Sequence, residues 1–227
     1  MSALEEAERS YIPALGKRWL LPLYDPFLWL LGADKAKQPL IEQAEIKSGF
    51  RVLDIGCGTG SMAVLIKRMH PEAEVVGIDP DPAALSVAER KAKRAGLSVK
   101  FDRGFADHMP YADASFDRVF SSFMFHHLAA EEKSATLAEI RRVMKVGGSL
   151  HLLDFVREHS VHAGTAEHGR LIHRHGPVAE RIEGRMTALM DEAGLVHAKE
   201  VSRGKNFFGP IAYYSAENPA GTRQPNP

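Results

Sequence analysis

The chain has 227 residues, with 29 Lys and Arg against 29 Asp and Glu, so its formal net charge is zero. This balance disfavours a basic face that binds nucleic acid, and a hydrophobic content of 44% excludes wholesale disorder. The single cysteine, Cys57, excludes an internal disulfide and any site that needs several thiolates.

The N-terminal region predicts a helical cap over residues 1–40. Its first residues are acidic and lack the positive charge of a secretory signal, so we expect a cytoplasmic protein. The apolar stretch at residues 19–32 is shorter than the ~20 residues that span a bilayer, and Asp25 interrupts it. An amphipathic surface that touches a membrane is the less favoured alternative.

The middle of the chain alternates strand and helix patterns. Four apolar runs with little alternation predict strands that are buried on both faces, and they lie at residues 52–55, 75–78, 118–121 and 149–155. Residues 99–102 are a weaker strand candidate. This alternation predicts βαβ units in a parallel sheet, and ligands bind such sheets at the carboxyl ends of the strands.

Helix signals separate these strands. One helix pattern starts at Met62, and Asp81 is the predicted N-cap of the next helix, with Pro82 at its first position. A further helix is predicted from about Ala130 to Lys145, ended by the glycine pair at 147–148.

The C-terminal part shows a different pattern. A helix is predicted over residues 178–193, followed by strands at 196–201 and 208–215 and a connecting loop that contains Arg203, Gly204 and Lys205. Residues 217–227 predict a flexible tail. The main domain therefore covers residues 41–216.

A glycine-rich turn follows the first strand. Gly56, Gly58 and Gly60 permit a tight turn and a close approach of another molecule, and Thr59 is a candidate cap for the helix that follows. Asp54 lies near the end of this strand and Asp79 at the end of the next, where a carboxylate can accept hydrogen bonds from both ribose hydroxyls of a nucleoside.

These motifs resemble those of class I S-adenosylmethionine-dependent methyltransferases, most closely the small-molecule enzymes of the ubiquinone and menaquinone biosynthesis type. The residues that carry the resemblance read VLDIGCGTG, GIDPDP, ADHMPYADASFD and FDRVFSSFMFHHL, within residues 50–155. The resemblance implies an α/β, Rossmann-like three-layer sandwich with a seven-stranded, mostly parallel sheet whose last strand is antiparallel. It also implies S-adenosyl-L-methionine as cofactor, S-adenosyl-L-homocysteine as product, and a small, apolar or aromatic methyl acceptor.

The resemblance further implies which residues bind the cofactor: Asp54, Gly56, Cys57, Gly58, Gly60, Asp79, Pro80, Phe105, Ala106 and Ser121. In this interpretation the glycines lie under the methionine part, Asp79 holds the ribose hydroxyls and Pro80 packs on the adenine. Phe105 occupies a position where relatives often have an Asp that bonds the adenine. The backbone of Phe105 and Ala106 is then expected to meet the adenine, and the alternative is that Asp107 does.

His126 and His127 are the candidate catalytic bases, since they follow the fourth strand at the end that faces the methyl group in this family. An imidazole pKa near ~6.5 suits proton removal. His126 is preferred, and the alternative is that the histidines only cap a helix or fill a polar gap. Phe125 is a candidate pocket wall or core residue, and Tyr24 resembles a residue that relatives place near the cofactor.

Five histidines between His159 and His175 have spacings that match no compact metal site, so we predict no metal and a lid over the acceptor pocket at residues 157–177. The expected partner is the small-molecule acceptor, without nucleic acid or stable membrane insertion; the oligomeric state stays open, a homodimer included. The alternatives are a non-catalytic S-adenosylmethionine-binding protein and, less favoured because of Ser61, a nicotinamide-dependent oxidoreductase.

Overall fold

The structure is a computed structural model that describes residues 33–156 and 185–219. Helices and strands alternate through most of these residues, and a short 3₁₀ turn, Phe125–His127, follows the fourth strand. In chain order the elements are α1 Ala33–Glu42, β1 Arg51–Ile55, α2 Ser61–Met69, β2 Glu74–Asp79, α3 Pro82–Arg94, β3 Lys100–Arg103, β4 Phe116–Ser122, α4 Ala130–Val143, β5 Met144–Phe155, α5 Arg185–Glu192, β6 Val196–Asn206 and β7 Gly209–Glu217.

The seven strands form one sheet in the order β3-β2-β1-β4-β5-β7-β6. The first five strands pair in parallel, and β7 runs antiparallel to both β5 and β6. This order brings the carboxyl ends of β1, β2 and β4 together near the middle of one edge. The predicted fold class, a Rossmann-like sandwich with an antiparallel last strand, is confirmed.

Both faces of the sheet are covered, which explains the unbroken apolar strands. Val52 packs on one face with Leu40 of α1 and Ile66 of α2. Its neighbour Leu53 points to the other face and packs with Ile140 of α4. Helices on both faces make the three layers and leave the strand ends as the place where polar chemistry can reach solvent.

The predicted boundary between the fourth helix and the fifth strand is wrong. The helix ends at Val143, and Met144 is already part of β5, where it pairs with Phe116 and is 1% exposed. Gly147 and Gly148 lie inside the strand and exchange backbone hydrogen bonds of 2.9 Å with Asn218. Strand pairing and burial of Met144 therefore replace the last turn that the helical periodicity predicts.

The predicted loop at 203–205 is also wrong, because these residues continue β6 and pair with β7 up to Asn206. The connection is only two residues long. The Asn206 side-chain oxygen accepts hydrogen bonds from the backbone N–H groups of Phe208 (2.9 Å) and Gly209 (3.1 Å). These hydrogen bonds from the turn to the Asn206 side chain place the turn directly after Asn206. The strand therefore continues through the charged residues that predict a loop.

Several predicted segments lie outside the described residues: the cap before α1, Tyr24, the lid at 157–177 with its five histidines, and residues 220–227. Within 33–156 and 185–219, no helix is long and apolar enough to cross a membrane. The same residues contain no group of three or more His, Cys, Asp or Glu side chains that could hold a metal ion.

Candidate functional site

The glycine loop joins β1 to α2 at the carboxyl edge of the sheet. Gly56, Gly58 and Gly60 all have left-handed backbones, with φ of 64°, 52° and 74°. A Cβ on Gly60 would lie 2.7 Å from Cβ of Ala88, whereas a Cβ on Gly58 would meet nothing within 4 Å among residues 33–156 and 185–219. The loop is thus tightly packed against α3 at Gly60 and open at Gly58. The predicted Thr59 cap is wrong, because Gly60 is the N-cap residue and α2 begins at Ser61.

Asp79 at the end of β2 is held against this loop. Its Oδ2 accepts a 2.8 Å hydrogen bond from the N–H of Gly58, and its Oδ1 accepts one of 2.9 Å from the N–H of Asp81. Burial raises the pKa of Asp79. Each carboxylate oxygen keeps a further lone pair, so the oriented carboxylate can still accept hydrogen bonds from a ligand. The predicted Asp81 cap of α3 is confirmed, since its Oδ1 accepts from the N–H of Ala83 at 2.9 Å.

Asp54 lies near the end of β1 and is 1% exposed. Its Oδ2 accepts a 3.1 Å hydrogen bond from the N–H of Ala63 in α2, but its Oδ1 is buried and has no hydrogen-bond partner in the part of the chain that the structure describes. Burial raises the pKa of this carboxyl to about 7, although the positive charge of Lys37 acts to lower it. A buried polar atom without a partner is rare, and a cationic group of a ligand would satisfy it.

The segment after β3 lies beside Asp79. Gly104 donates a 3.2 Å backbone hydrogen bond to the carbonyl of Asp79, and the Pro80 carbonyl accepts a 3.4 Å bond from Nε of Arg103. Phe105 and Ala106 are both partly buried, and Phe105 forms an isolated antiparallel bridge with His108. The residues predicted to meet the adenine are therefore neighbours of the residue predicted to hold the ribose.

Two further predicted residues are buried at the same edge. Ser121 is 1% exposed, its hydroxyl donates a 3.3 Å hydrogen bond to the carbonyl of Ile55, and it pairs with Ile55, the residue before the glycine loop, in the sheet. The N–H of Cys57 donates to the carbonyl of Ile78 at 3.1 Å. Burial raises the pKa of the Cys57 thiol, so this cysteine stays protonated and unreactive.

His126 is fixed by a carboxylate that the motifs did not single out. Its ring Nδ1 lies 2.6 Å from Oδ1 of Asp154, and its backbone N–H donates to Oδ2 of the same residue at 2.9 Å. The Asp154 side chain is only 4% exposed, and its Oδ1 also accepts from the N–H of Phe155 at 2.8 Å. His127 is exposed and its ring centroid lies 3.9 Å from that of His126. The structure thus distinguishes the two histidines.

A short turn links the histidines to the glycine loop. Phe123 adopts a left-handed backbone with φ of 56° and donates a 2.8 Å hydrogen bond to the carbonyl of Leu153. The next side chain, Met124, fills the space that a Cβ of Gly56 would need. The left-handed backbone of Phe123 is strained because Phe is not a glycine. Strain of this kind persists only where the surroundings enforce it, and it often marks functional sites.

Aromatic side chains surround this turn. The ring centroids of Phe123 and Phe155 are 4.9 Å apart, and those of His126 and Phe155 are 5.1 Å apart. The interpretation of Phe125 as a pocket wall is wrong. Its side chain is 0% exposed and packs in the core with Leu137 of α4, because the 3₁₀ turn directs it inward while the neighbouring His126 stays at the edge.

Comparison with known proteins agrees with the motifs. Residues 52–148 match a family model described as "Methyltransferase domain". A demethylmenaquinone methyltransferase of Thermus thermophilus is 40% identical over 139 residues, which cover 60% of this chain and 62% of that protein. A ubiquinone/menaquinone biosynthesis C-methyltransferase UbiE of Xanthomonas campestris is 39% identical over 132 residues, which cover 56% of this chain and 51% of that protein. The chain therefore spans less than two thirds of the length of these relatives.

The fold comparison points the same way. A crystal structure of an S-adenosylmethionine-dependent methyltransferase from Aquifex aeolicus superposes with a TM-score of 0.61 at 22% identity, covering 80% of this chain and 89% of that one. Such a likeness shows the shared fold. Residues 52–148 therefore match the methyltransferase domain that the motifs predict, and the proteins that resemble the chain in sequence and in fold are named as methyltransferases.

Proposed function

We propose that this protein transfers a methyl group from S-adenosylmethionine to a small aromatic molecule, with His126 as the general base. The observation that carries the proposal is the His126–Asp154 pair, which lies at the carboxyl edge of the sheet. Met124, two residues before the histidine, packs on Gly56 and so joins this pair to the glycine loop. A base and a candidate cofactor cradle therefore share one site.

The residues at the loop fit the cofactor. Gly58 leaves room for a ligand, the carboxylate of Asp79 is oriented for ribose hydroxyls, and the unpartnered Oδ1 of Asp54 suits the ammonium of a methionine part. When bound, the cofactor supplies an electrophilic methyl group on a positively charged sulfur. The contribution of the chain is to hold the reactants in line and exclude water, and alignment of this kind can lower a barrier by ~7–11 kcal/mol.

Asp154 sets the state of the base. An ionised carboxylate only accepts hydrogen bonds, so Nδ1 of His126 carries the proton and Nε2 keeps a free lone pair. The second hydrogen bond, from the backbone N–H of His126, fixes the ring orientation. Nε2 can then take a proton from a hydroxyl or an acidic carbon of the acceptor, and the nearby Asp154 carboxylate stabilises the imidazolium that forms.

The acceptor is proposed to carry a phenol or quinol ring. Phe123 and Phe155 give the site an aromatic surface beside His126, and rings of this kind stack with an aromatic ligand. The named relatives are demethylmenaquinone and ubiquinone/menaquinone methyltransferases, which favours the same class. We further propose that residues 157–177 form the predicted lid, that Tyr24 provides another contact, and that the protein is cytoplasmic.

The test follows labelled methyl groups from S-adenosylmethionine to a panel of quinols, phenols and aliphatic alcohols, with transfer RNA as a comparison. We expect labelling of the aromatic acceptors. His126→Gln should lower kcat by about 10²- to 10⁴-fold, the usual contribution of a general base, with an unchanged Kd for S-adenosylhomocysteine. His127→Gln is the matched control and should retain turnover. Full activity of His126→Gln would refute the base role, and labelling of RNA alone would refute the acceptor class.

A further inference from the structure

The loop between β3 and β4, residues 104–115, runs back from the carboxyl edge of the sheet to the start of β4, and none of these residues belongs to a helix. At its start, Gly104 donates a 3.2 Å hydrogen bond to the carbonyl of Asp79. Phe105 and Ala106, the residues predicted to meet the adenine, follow at once. Because the polar backbone groups of an irregular loop cannot all pair within a helix or sheet, other contacts must hold them.

Arg142, near the end of α4, binds this loop at three points. Its Nη1 donates hydrogen bonds to the carbonyl of Tyr111 (2.7 Å) and to Oδ1 of Asp113 (2.8 Å), and its Nη2 donates one to the carbonyl of Met109 (3.0 Å). A second side chain of the same helix completes the arrangement, since Oε2 of Glu139 accepts a 2.9 Å bond from the N–H of Met109. Side chains of α4 therefore bind both polar backbone groups of Met109, shortly after the predicted adenine contacts.

Glu139 holds Arg142 in the geometry that these bonds need. Nε and Nη2 of Arg142 each lie 2.7 Å from one carboxylate oxygen of Glu139, which makes a two-point pairing of guanidinium and carboxylate. Pairings of this form are stronger and more directional than a single hydrogen bond. The hydrogen bonds from Arg142 hold the pKa of Glu139 below its usual range, so the carboxylate is ionised at neutral pH. The side chain of Met109 is 3% exposed and anchors the same point of the loop in the core.

We propose that the Arg142–Glu139 pair positions the loop between β3 and β4 for recognition of the adenine of the cofactor. The assignment rests on the proposed function, and both members are positioning residues, since neither is placed in contact with the cofactor. A loop that is held at Met109 presents its backbone donors and acceptors in one arrangement, which favours a base with the matching pattern. A loop released from α4 loses this preference, while the rest of the site still binds a nucleoside.

The experiment compares, by calorimetry, the affinities of S-adenosylhomocysteine and of S-inosylhomocysteine, in which a carbonyl group replaces the adenine amine. The unmodified chain should prefer the adenine ligand by at least about tenfold, the effect of about one hydrogen bond. Arg142→Met should weaken S-adenosylhomocysteine by about tenfold and S-inosylhomocysteine by less than about twofold. Arg142→Lys should behave in the same way, because a lysine keeps the charge but cannot form the planar two-point pairing.

Val143→Ala is the matched control, because Val143 is the next residue of α4 and its side chain is fully buried in the core. This substitution should lower the free energy of unfolding and leave the preference for the adenine ligand unchanged. Glu139→Gln is a milder variant that replaces a failure of Arg142→Met to fold, as judged by circular dichroism. It should reduce the preference in the same direction.

Three results would overturn the assignment. If the folded variants of Arg142 or Glu139 keep the full preference for the adenine ligand, the pair only stabilises the fold. If Val143→Ala reduces the preference as strongly, lost stability and not loop position is the cause. If the unmodified chain binds both ligands equally, the loop does not recognise the adenine. All three leave the proposed function intact, because the unmodified chain still binds S-adenosylhomocysteine, whereas failure to bind it would overturn the proposed function itself.

Discussion

Two alanine substitutions in the glycine loop should separate folding from cofactor binding. Gly58 and Gly60 both have left-handed backbones, so each substitution carries a conformational cost of about 1–2 kcal/mol. At Gly60 the new Cβ would also lie 2.7 Å from Cβ of Ala88 and 3.0 Å from Cζ of Phe101. Overpacking of this kind adds about 1–3 kcal/mol, so Gly60→Ala should destabilise the fold by about 2–5 kcal/mol in total.

Gly58→Ala should instead affect ligand binding more than folding stability. Its Cβ meets no atom of the described residues within 4 Å, so the loss of folding free energy should stay at about 1–2 kcal/mol. The methyl group would, however, stand on the open side of the loop, where we place the cofactor. We therefore expect a fall in affinity for S-adenosylhomocysteine of at least tenfold.

The assay is urea unfolding followed by circular dichroism, together with calorimetry of S-adenosylhomocysteine for each folded variant. Gly60→Ala should lose clearly more free energy of unfolding than Gly58→Ala. Equal losses of stability would refute the packing argument. Unchanged ligand affinity in Gly58→Ala would refute the assignment of the open side of the loop to the cofactor.

Three further outcomes are expected. Burial lowers the pKa of His151 to about 3, whereas the unfolded side chain titrates near ~6.5. The free energy of unfolding should therefore fall as the pH drops from about 6.5 towards 3. His151→Gln should flatten this part of the pH profile. Burial raises the pKa of Asp54 to about 7, and a ligand ammonium prefers the ionised carboxylate. Affinity for S-adenosylhomocysteine should therefore decrease below pH 7 by up to about tenfold per pH unit. Asp54→Asn should remove this dependence. Phe125→Ala should cost about 3–5 kcal/mol of stability, measured by urea unfolding, because the side chain is fully buried; a loss below 1 kcal/mol would restore the pocket-wall interpretation.

The site residues that the sequence predicted can all be recognised from local sequence patterns. Asp54, Asp79 and the glycines follow apolar runs at a spacing that local patterns reveal, and the order of a parallel sheet then brings the strand ends together. Their position could therefore be worked out without any long-range contact. The fold class was predictable for the same reason, since buried parallel strands show little alternation.

The residues that sequence reasoning missed depend on contacts between distant segments. Asp154 is also an acid near the end of an apolar strand, and that pattern could have marked it. Its role, however, depends on a hydrogen bond to His126, 28 positions away. Arg142 and Glu139 lie in a predicted helix, and only the packing of α4 against the loop between β3 and β4 shows which groups they bind.

The boundaries that were predicted wrongly have a similar cause. Met144 continues a helical pattern, but pairing with Phe116 and burial draw it into β5. Arg203 and Lys205 have the charge of a loop, but they occupy an exposed edge strand, where polar side chains carry no penalty. In both places tertiary pairing outweighs local propensity.

Binding of S-adenosylhomocysteine to the full chain, measured by calorimetry with Asp79→Asn as the paired variant, tests the proposed cofactor site most directly. We expect binding at one site per chain and a loss of affinity of at least about tenfold in the variant, because the carboxylate that we propose to accept the ribose hydroxyls loses its charge. We also expect no detectable binding of NAD under the same conditions. No binding of S-adenosylhomocysteine, or equal binding by the variant, would contradict the placement of the cofactor at the carboxyl edge of this sheet.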